Sequence, residues 1–128
     1  MIVKHLEDII GSEDDIHAAT WNSRRLLLRK DGMGFSMHDT IIKAGTETFI
    51  WYKHHLEAVY CIEGEGEIEP EGDRIYPIVP GTLYALSGNE KHLLRAKTEL
   101  RMVCVFSPPL TGTEVHDEHG VYPLIGDE

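Results

Sequence analysis

Glu57, Tyr84 and His92 are chemically active side chains at positions that strand periodicity turns toward the protein interior. In a β-strand every second residue shares a face, and Glu57 alternates with the apolar residues Val59 and Cys61. A buried charge is costly unless it is paired or binds a metal. Together the three side chains would offer a metal a carboxylate, a phenol and an imidazole. The alternation alone does not establish a metal site, because Glu57 would equally suit pairing with an inward Arg or Lys, and His92 would equally suit a hydrogen-bonded place in the core.

The elements that must position these residues are strands. Strand-type alternation dominates and breaks at glycine, proline and Asp31-Gly32, where a hairpin is expected. A short helix fits only within the first 20 or so residues. The predicted strands cover residues 24–30, 35–43, 47–54, 56–69, 74–79, 82–86, 91–97 and 100–110. Many short strands without βαβ alternation predict an all-β fold, a small antiparallel sandwich or barrel.

Length and composition limit the classes of function that this protein can have. The 128 residues, with 41% hydrophobic and 27% charged residues, predict a single soluble domain over 1–128. The net charge of −10 argues against nucleic acid and anionic membranes as partners. No signal peptide or apolar span is recognised, and the two cysteines suggest free thiols in a reducing cytoplasm. The polar segment 111–128 is expected to be a mobile tail outside the core.

The residues around Glu57 approximate the first motif of the cupins, which is a glycine, a His-x-His pair, a glutamate and a closing glycine. Trp51 and Lys53 stand in the two histidine places, and His54 and His55 fall outside them, so we expect both histidines to be bystanders. His92 corresponds best to the histidine of the second cupin motif. A small cupin-type β-barrel with jelly-roll-like antiparallel sheets is the expected fold.

Longer blocks make the resemblance more specific. From Ile2 to about Pro123 the chain resembles the ectoine synthases, a family of the cupin superfamily. The resemblance rests on the blocks "WNSRRLLLRKDGMGFSMHDTII", "HLEAVYCIEGEGEIE", "YPIVPGTLYALSGNEKHLLRA" and "LRMVCVFSPPLTGTEVHDEHGVYP", which occur in the family's order.

The resemblance implies a reaction, a metal and a set of site residues. The reaction is the ring closure of N-γ-acetyl-L-2,4-diaminobutyrate to the compatible solute ectoine, with loss of water, in a cytoplasmic homodimer that serves the response to osmotic stress. The implied metal is Fe²⁺, with zinc or another divalent transition metal as alternatives, held by Glu57, Tyr84 and His92. The residues expected to contact substrate are Trp21, Arg25, His38, Thr40, Tyr52, Phe106, Glu114 and His116.

Proton transfer is assigned by the same resemblance. A base must act on the amine and an acid on the departing oxygen. Glu114 and His116 are the expected pair, with Tyr52 and Thr40 as hydrogen-bonding partners, and the segment 111–128 would then order over the pocket as a lid. Three alternatives remain open. These are another small metal-dependent cupin enzyme, a non-enzymatic cupin that binds a small molecule, and a cupin whose metal site only stabilises the barrel.

Overall fold

The computed structural model describes residues 1–117 and 119–123, and strands dominate this part of the chain. A short helix α1 (Leu6–Ile9) precedes the strands, and a 3-10 helix (Arg29–Asp31) follows the second strand. The strands are β1 (Asp15–His17), β2 (Trp21–Leu27), β3 (Ser36–Ile42), β4 (Glu47–Ile50), β5 (Leu56–Glu63), β6 (Gly66–Pro70), β7 (Tyr76–Ile78), β8 (Leu83–Leu86), β9 (His92–Ala96) and β10 (Leu100–Ser107). None of the helices in the described ranges is long and apolar enough to cross a bilayer.

The described strands form two antiparallel sheets that share one core. One sheet has the order β1-β2-β3-β10-β5-β8 and the other has the order β4-β9-β6-β7. Apolar side chains from both sheets belong to a single buried cluster, and each large side chain buried there contributes about 1.5–3 kcal/mol. This is the jelly-roll-like all-β fold predicted from the sequence, with two hydrogen-bonded sheets rather than one closed ladder.

The predicted strands are largely confirmed, and the differences lie at their ends. The hairpin at Asp31-Gly32 pairs β2 with β3, although β2 begins earlier than expected, at Trp21, and β1 was not predicted. The strand predicted over 47–54 ends at Ile50. The reason is that the Trp51 N–H donates to the carbonyl of Gly120 in the C-terminal segment, at 2.8 Å, instead of continuing the sheet.

Two glycines allow the chain to cross from one sheet to the other after β5. Gly64 has φ +95°, and a Cβ there would lie 2.1 Å from the Glu99 carbonyl oxygen. A Cβ on Gly66 would lie 2.2 Å from the Arg95 carbonyl oxygen. Only glycine fits these close backbone approaches. As a result β5 and β6, which are adjacent in sequence, belong to different sheets and enclose the core from opposite sides.

The predicted burial of the Glu57 face is confirmed. Glu57, Val59 and Cys61 are buried, whereas Tyr60 on the opposite face is 48% exposed. On β10 the side chains of Met102, Cys104 and Phe106 are buried in the same core.

The C-terminal segment differs from expectation in its packing. Val121 and Tyr122 are only 3% and 4% exposed, and Tyr122 belongs to the core cluster. The expectation that 111–128 lies outside the core is therefore wrong for this pair, because both side chains are buried and the Tyr122 ring packs against Tyr52 and Phe106. Residues 118 and 124–128, which also belong to the expected tail, lie outside the described residues.

Candidate active site

A small cavity that is partly open to solvent lies between the two sheets. Its walls come from strands of both sheets, from the connection between β4 and β5, and from the C-terminal segment. Seven residues singled out from the sequence line it: Trp21, Thr40, Tyr52, Glu57, Tyr84, Phe106 and His116. The fold therefore brings together side chains that lie as far apart in sequence as Trp21 and His116.

Glu57 is a buried carboxylate without a cation. It is 7% exposed, and in the described part of the chain no Lys or Arg forms an ion pair with it. Burial raises the pKa of Glu57 to about 8, and a hydrogen bond with the Cys104 thiol offsets this only in part. Tyr84 lies on the neighbouring strand β8 and pairs with Val59, two residues along β5 from Glu57. Burial, and then the charge of Glu57, raise the pKa of the Tyr84 phenol well above its ordinary value.

His92 is oriented as a ligand would be. Its side chain is 1% exposed. Nδ1 lies 3.0 Å from the Glu90 carbonyl oxygen, which can only accept, so Nδ1 carries the proton and Nε2 has a lone pair. Nε2 is buried and has no hydrogen-bond partner among the described residues. An imidazole whose other nitrogen donates to a backbone carbonyl is the usual arrangement of a metal-bound histidine.

The donor set fits a divalent transition metal only if the phenol takes part. No group of three His, Cys, Asp or Glu side chains able to hold a metal occurs in residues 1–117 and 119–123. A metal site that contains Glu57 and His92 would thus take any third protein ligand from another residue type, such as the Tyr84 phenol. The resulting mixed oxygen and nitrogen set suits iron or zinc. The unpartnered Nε2 of His92 and the buried Glu57 carboxyl, which would ionise readily only beside a cation, are the two observations that favour occupancy by a cation.

The two histidines expected to be bystanders differ from each other. His54 is exposed, whereas His55 is 2% exposed and its Nδ1 has no partner among the described residues. The His55 ring lies edge-on to Phe106 and Tyr122, with centroids 6.1 and 6.3 Å away. His55 is thus packed behind the aromatic wall and is not one of the residues that line the cavity.

Tyr52 and His116 form a hydrogen-bonded pair in the cavity wall. The Tyr52 hydroxyl lies 2.9 Å from His116 Nε2. Burial, and then the charges of His92 and Arg25, lower the pKa of His116 to about 4, so its imidazole is neutral near pH 7. Burial, and then Tyr122, raise the pKa of Tyr52 well above its ordinary value, so the phenol keeps its proton.

Tyr122 is the site residue that sequence reasoning missed. Its ring stacks on Tyr52 with centroids 5.0 Å apart and an interplanar angle of 17°, and it lies 4.5 Å from the His116 ring. The apolar pair Val121-Tyr122 within the polar segment was the available signal. A similar omission concerns Cys104 and Ser23, which also line the cavity.

Arg25 is a buried cation without an anion. It is 0% exposed. Its Nη2 donates to the Glu114 carbonyl oxygen at 2.6 Å and its Nε donates to Ser23 Oγ at 3.2 Å. Nη1 is buried without a partner, and no described carboxylate forms an ion pair with this guanidinium. The guanidinium carbon lies 5.8 Å from the centre of the Tyr122 ring, in the cavity wall.

The carboxylate of Glu114 is placed differently from the expected acid–base role. Oε1 accepts from the N–H of Gly112 at 2.9 Å and from the Thr111 hydroxyl at 2.7 Å, and Oε2 accepts from the Thr111 N–H at 2.7 Å. Burial alone raises the pKa of Glu114, but these backbone hydrogen bonds outweigh it and the pKa lies below its ordinary value. The carboxylate organises the start of the C-terminal segment, and the geometry favours this role over proton transfer.

His38 is likewise occupied by protein groups. Nδ1 lies 3.0 Å from Ser23 Oγ and Nε2 lies 2.9 Å from Ser36 Oγ. Burial, and then the nearby Arg25, lower the pKa of His38 well below its ordinary value. Both ring nitrogens are therefore used within the protein, and His38 supports Arg25 through Ser23 rather than facing the cavity.

Known proteins resemble the chain over its whole length. The sequence model of the family described as ectoine synthase matches residues 1–126. An L-ectoine synthase of Halalkalibacterium halodurans is 64% identical over 129 residues, covering 100% of both chains. The crystal structure of an ectoine synthase from P. lautus is 70% identical, with a TM-score of 0.90 over 100% of this chain and 93% of that one.

More distant structures bear on the fold alone. A cupin domain of a transcriptional regulator from Enterobacter cloacae is 17% identical, with a TM-score of 0.59 over 71% of this chain and 99% of that one. The cupin architecture is therefore confirmed. The full-length match to the family model and the close relatives go further, and the chain belongs to the ectoine synthase family.

Proposed function

We propose that this protein closes N-γ-acetyl-L-2,4-diaminobutyrate to ectoine with loss of one water. The α-amino nitrogen attacks the carbon of the acetamido group, a C–N bond forms, and the former carbonyl oxygen leaves as water with the two protons of the attacking nitrogen. The observation that carries the proposal is the buried Arg25 guanidinium without an anion and the buried Glu57 carboxyl without a cation, beside a cavity of aromatic walls. Such charges are costly without counter-ions, and a substrate carboxylate and a metal cation would supply them.

We further propose that Fe²⁺ is the metal and that Glu57, Tyr84 and His92 hold it, with zinc or another divalent transition metal as alternatives. When bound, the metal supplies Lewis-acid activation of the amide carbonyl. The unpartnered Nε2 of His92 supports its place in the ligand set. Tyr84 has to lose its proton to bind well, which a neighbouring dication promotes.

Substrate orientation falls to Arg25 and the aromatic walls. The buried Nη1 of Arg25 has no partner among the described residues, and a substrate carboxylate would supply one in a charge-assisted hydrogen bond. Trp21, Phe106 and Tyr122 line the cavity and exclude water, which matters because water opposes a dehydration. Holding the flexible chain in a ring-like conformer lowers the barrier by roughly 7 kcal/mol or more in the best intramolecular cases.

Proton transfer is assigned to Tyr52 and His116. The neutral imidazole of His116 accepts a proton from the attacking amine, and the Tyr52 phenol gives a proton to the departing oxygen. The proton on His116 then returns to Tyr52 across their hydrogen bond, so that two successive transfers deliver the two protons that leave with water. Thr40 lines the same cavity and is available as a hydrogen-bonding partner. Glu114 contributes indirectly, through the turn that carries its carbonyl to Arg25.

The test is proton NMR of the iron(II)-reconstituted protein with N-γ-acetyl-L-2,4-diaminobutyrate, beside a chelator-treated control. We expect the cyclic product only in the metal-loaded sample. Product in both samples would refute the metal dependence. No product in either sample, with folded and metal-loaded protein, would refute the enzymatic function and favour a cupin that only binds small molecules.

We also propose a homodimer, built on the outer face of the larger sheet. Leu56 and Tyr60 on β5 are each 48% exposed, and Leu83 on β8 is 65% exposed. Tyr60 pairs with Val103 on one side and with Leu83 on the other, so the apolar side chains are contiguous. An exposed apolar patch of this kind supports an interface. Light scattering after gel filtration should give twice the monomer mass for the wild-type protein. The Tyr60→Arg variant should give the mass of a single monomer.

A cytoplasmic location and a role in osmotic stress complete the proposal. Cys61 and Cys104 are free and buried, as expected in a reducing compartment. Ectoine is a compatible solute, so its synthesis belongs to the response to high salt. Growth in high salt of cells in which this protein is the sole source of ectoine synthesis, compared with cells lacking it, tests that role.

A further inference from the structure

The connection between β8 and β9 passes from one sheet to the other beside the active site. It leaves the larger sheet after Leu86 and enters the smaller sheet at His92. The N–H of Gly88 donates to Glu90 Oε1 at 2.6 Å, and the Glu90 carbonyl in turn accepts from His92 Nδ1. The connection is therefore an ordered turn that fixes the His92 imidazole.

Asn89 occupies an unusual backbone conformation in this turn. Its φ is +55°, and it is the one non-glycine residue with a positive φ in the described ranges. Asparagine tolerates the left-handed region better than most residues, but glycine fits it at lower cost. The backbone alone does not explain why an asparagine stands here.

The side chain of Asn89 joins the turn to a second loop. Nδ2 donates to the carbonyl of Tyr52 at 2.8 Å and to the carbonyl of His55 at 3.1 Å. Both partners are carbonyl oxygens, which only accept, so the orientation of the amide is fixed by chemistry. Both hydrogens of one amino group thus hold the loop between β4 and β5 at its two ends.

This loop carries Tyr52, whose hydroxyl bonds to His116 and whose ring lies 6.3 Å from the His92 ring. The turn therefore fixes His92 through the Glu90 carbonyl and Tyr52 through the Asn89 amide. Asn89 is not among the residues that line the cavity, so it would act on the reaction only through these neighbours.

We propose that Asn89 is a positioning residue, whose side-chain amide sets Tyr52 relative to His92. The inference rests on the proposed function. A displacement of about 1 Å in a reacting group costs up to roughly 100-fold in rate, so loss of both hydrogen bonds is expected to lower kcat at least tenfold.

Two variants separate the amide from the backbone. Asn89→Gly keeps the left-handed turn and removes both donors. Asn89→Asp keeps the turn and the side-chain length, but it places a carboxylate oxygen, which cannot donate, next to the carbonyl oxygens of Tyr52 and His55. We expect both variants to bind the wild-type amount of iron and to lose at least tenfold in kcat, with a changed near-ultraviolet circular dichroism from the stacked Tyr52–Tyr122 pair. Wild-type kcat in Asn89→Gly would overturn the proposal, because the residue would then serve only the backbone turn.

Thr98→Val is the matched control. The Thr98 hydroxyl accepts from the Glu65 N–H at 2.9 Å and so joins two connections, and neither residue lines the cavity. This variant should lower the melting temperature while kcat and the circular dichroism stay at wild-type values. A fall in kcat equal to that of the Asn89 variants would refute a specific role for Asn89. If wild type itself forms no cyclic product, the proposed function fails, and the dichroism still decides whether Asn89 positions Tyr52.

Discussion

The hydroxyl of Tyr52 and Nε2 of His116 lie 2.9 Å apart, although 64 residues separate them in the chain. One lies in the connection between β4 and β5 and the other in the C-terminal segment. Both side chains line the cavity together with Glu57. Proton transfer by the proposed Tyr52–His116 pair would therefore depend on docking of the C-terminal segment.

Removal of the Tyr52 hydroxyl should reduce turnover while leaving the fold intact. Tyr52→Phe keeps the ring contacts with Tyr122 and Phe106 but loses the hydrogen bond to His116. Loss of one general acid or base costs roughly 10²- to 10⁴-fold, which should appear in kcat measured by NMR. Tyr76→Phe, which removes a hydroxyl bonded to Asp73 on the surface, should leave kcat unchanged. A Tyr52→Phe enzyme within twofold of wild type would contradict the assignment.

Replacement of Glu57 should abolish metal loading. Glu57→Gln removes the charge that a cation would neutralise, and both metal content and turnover are expected to fall to background. Metal analysis and a thermal scan measure the effect, since a metal that binds only the folded state raises the melting temperature of wild type. Glu63→Gln, at the exposed end of the same strand, should retain both properties. Full metal content in Glu57→Gln would show that the ligand is another residue.

Arg25→Lys should weaken substrate binding. The lysine keeps the charge but loses the planar fork and the bonds to Ser23 and the Glu114 carbonyl. Hydrogen bonds to charged groups contribute about 1.5–3 kcal/mol, so KM should rise roughly tenfold to 100-fold in steady-state kinetics. Arg95→Lys, in the surface ion network with Glu47 and Glu69, should leave KM unchanged. A KM unaffected by Arg25→Lys would place the substrate carboxylate elsewhere.

Gly120→Ala should displace the C-terminal segment. A Cβ at this position, where φ is +75°, would lie 2.5 Å from the Phe49 carbonyl oxygen, so the contact that receives the Trp51 N–H has to open. We expect a large loss of activity, because His116 precedes this contact on the same segment. Gly72→Ala is the control, since its φ of +76° is nearly the same but nothing lies within 4 Å of the added carbon. Similar activities in the two variants would mean that docking at Gly120 is dispensable.

Asp39 should make stability depend on acid pH. Burial alone raises its pKa, but hydrogen bonds from Arg101 and Arg24 outweigh this, and the pKa lies below the ordinary value of 3.8. The stabilisation is then complete above the unfolded-state pKa and is lost as the pH falls below about 3.8 through the folded-state value. Urea unfolding from pH 7 to pH 3 should show the loss. Asp39→Asn should be less stable by about 1.5–3 kcal/mol at pH 7, and this difference should shrink below pH 3.8. A difference in the free energy of unfolding that stays constant with pH would show that ionisation of Asp39 does not contribute to stability.

Much of the fold follows from local patterns in the sequence. Alternation on β5 predicted that Glu57 is buried and Tyr60 exposed, because side-chain direction in a strand has a period of two residues. Turn chemistry at Asp31-Gly32 predicted the hairpin of β2 and β3. The family resemblance added site residues that these patterns do not identify.

Other features depend on contacts between residues far apart in the chain, and only the tertiary structure decided them. The sequence made Glu114 an acid–base candidate, but the folded turn commits its carboxylate to backbone N–H groups of Thr111 and Gly112. It suggested that the C-terminal segment lies outside the core, yet Tyr122 stacks on Tyr52. The amide of Asn89 also finds its partners 34 and 37 residues away. The sequence by itself determined which faces are buried, and the packing of two sheets determined which polar groups meet in the cavity and which are left without partners.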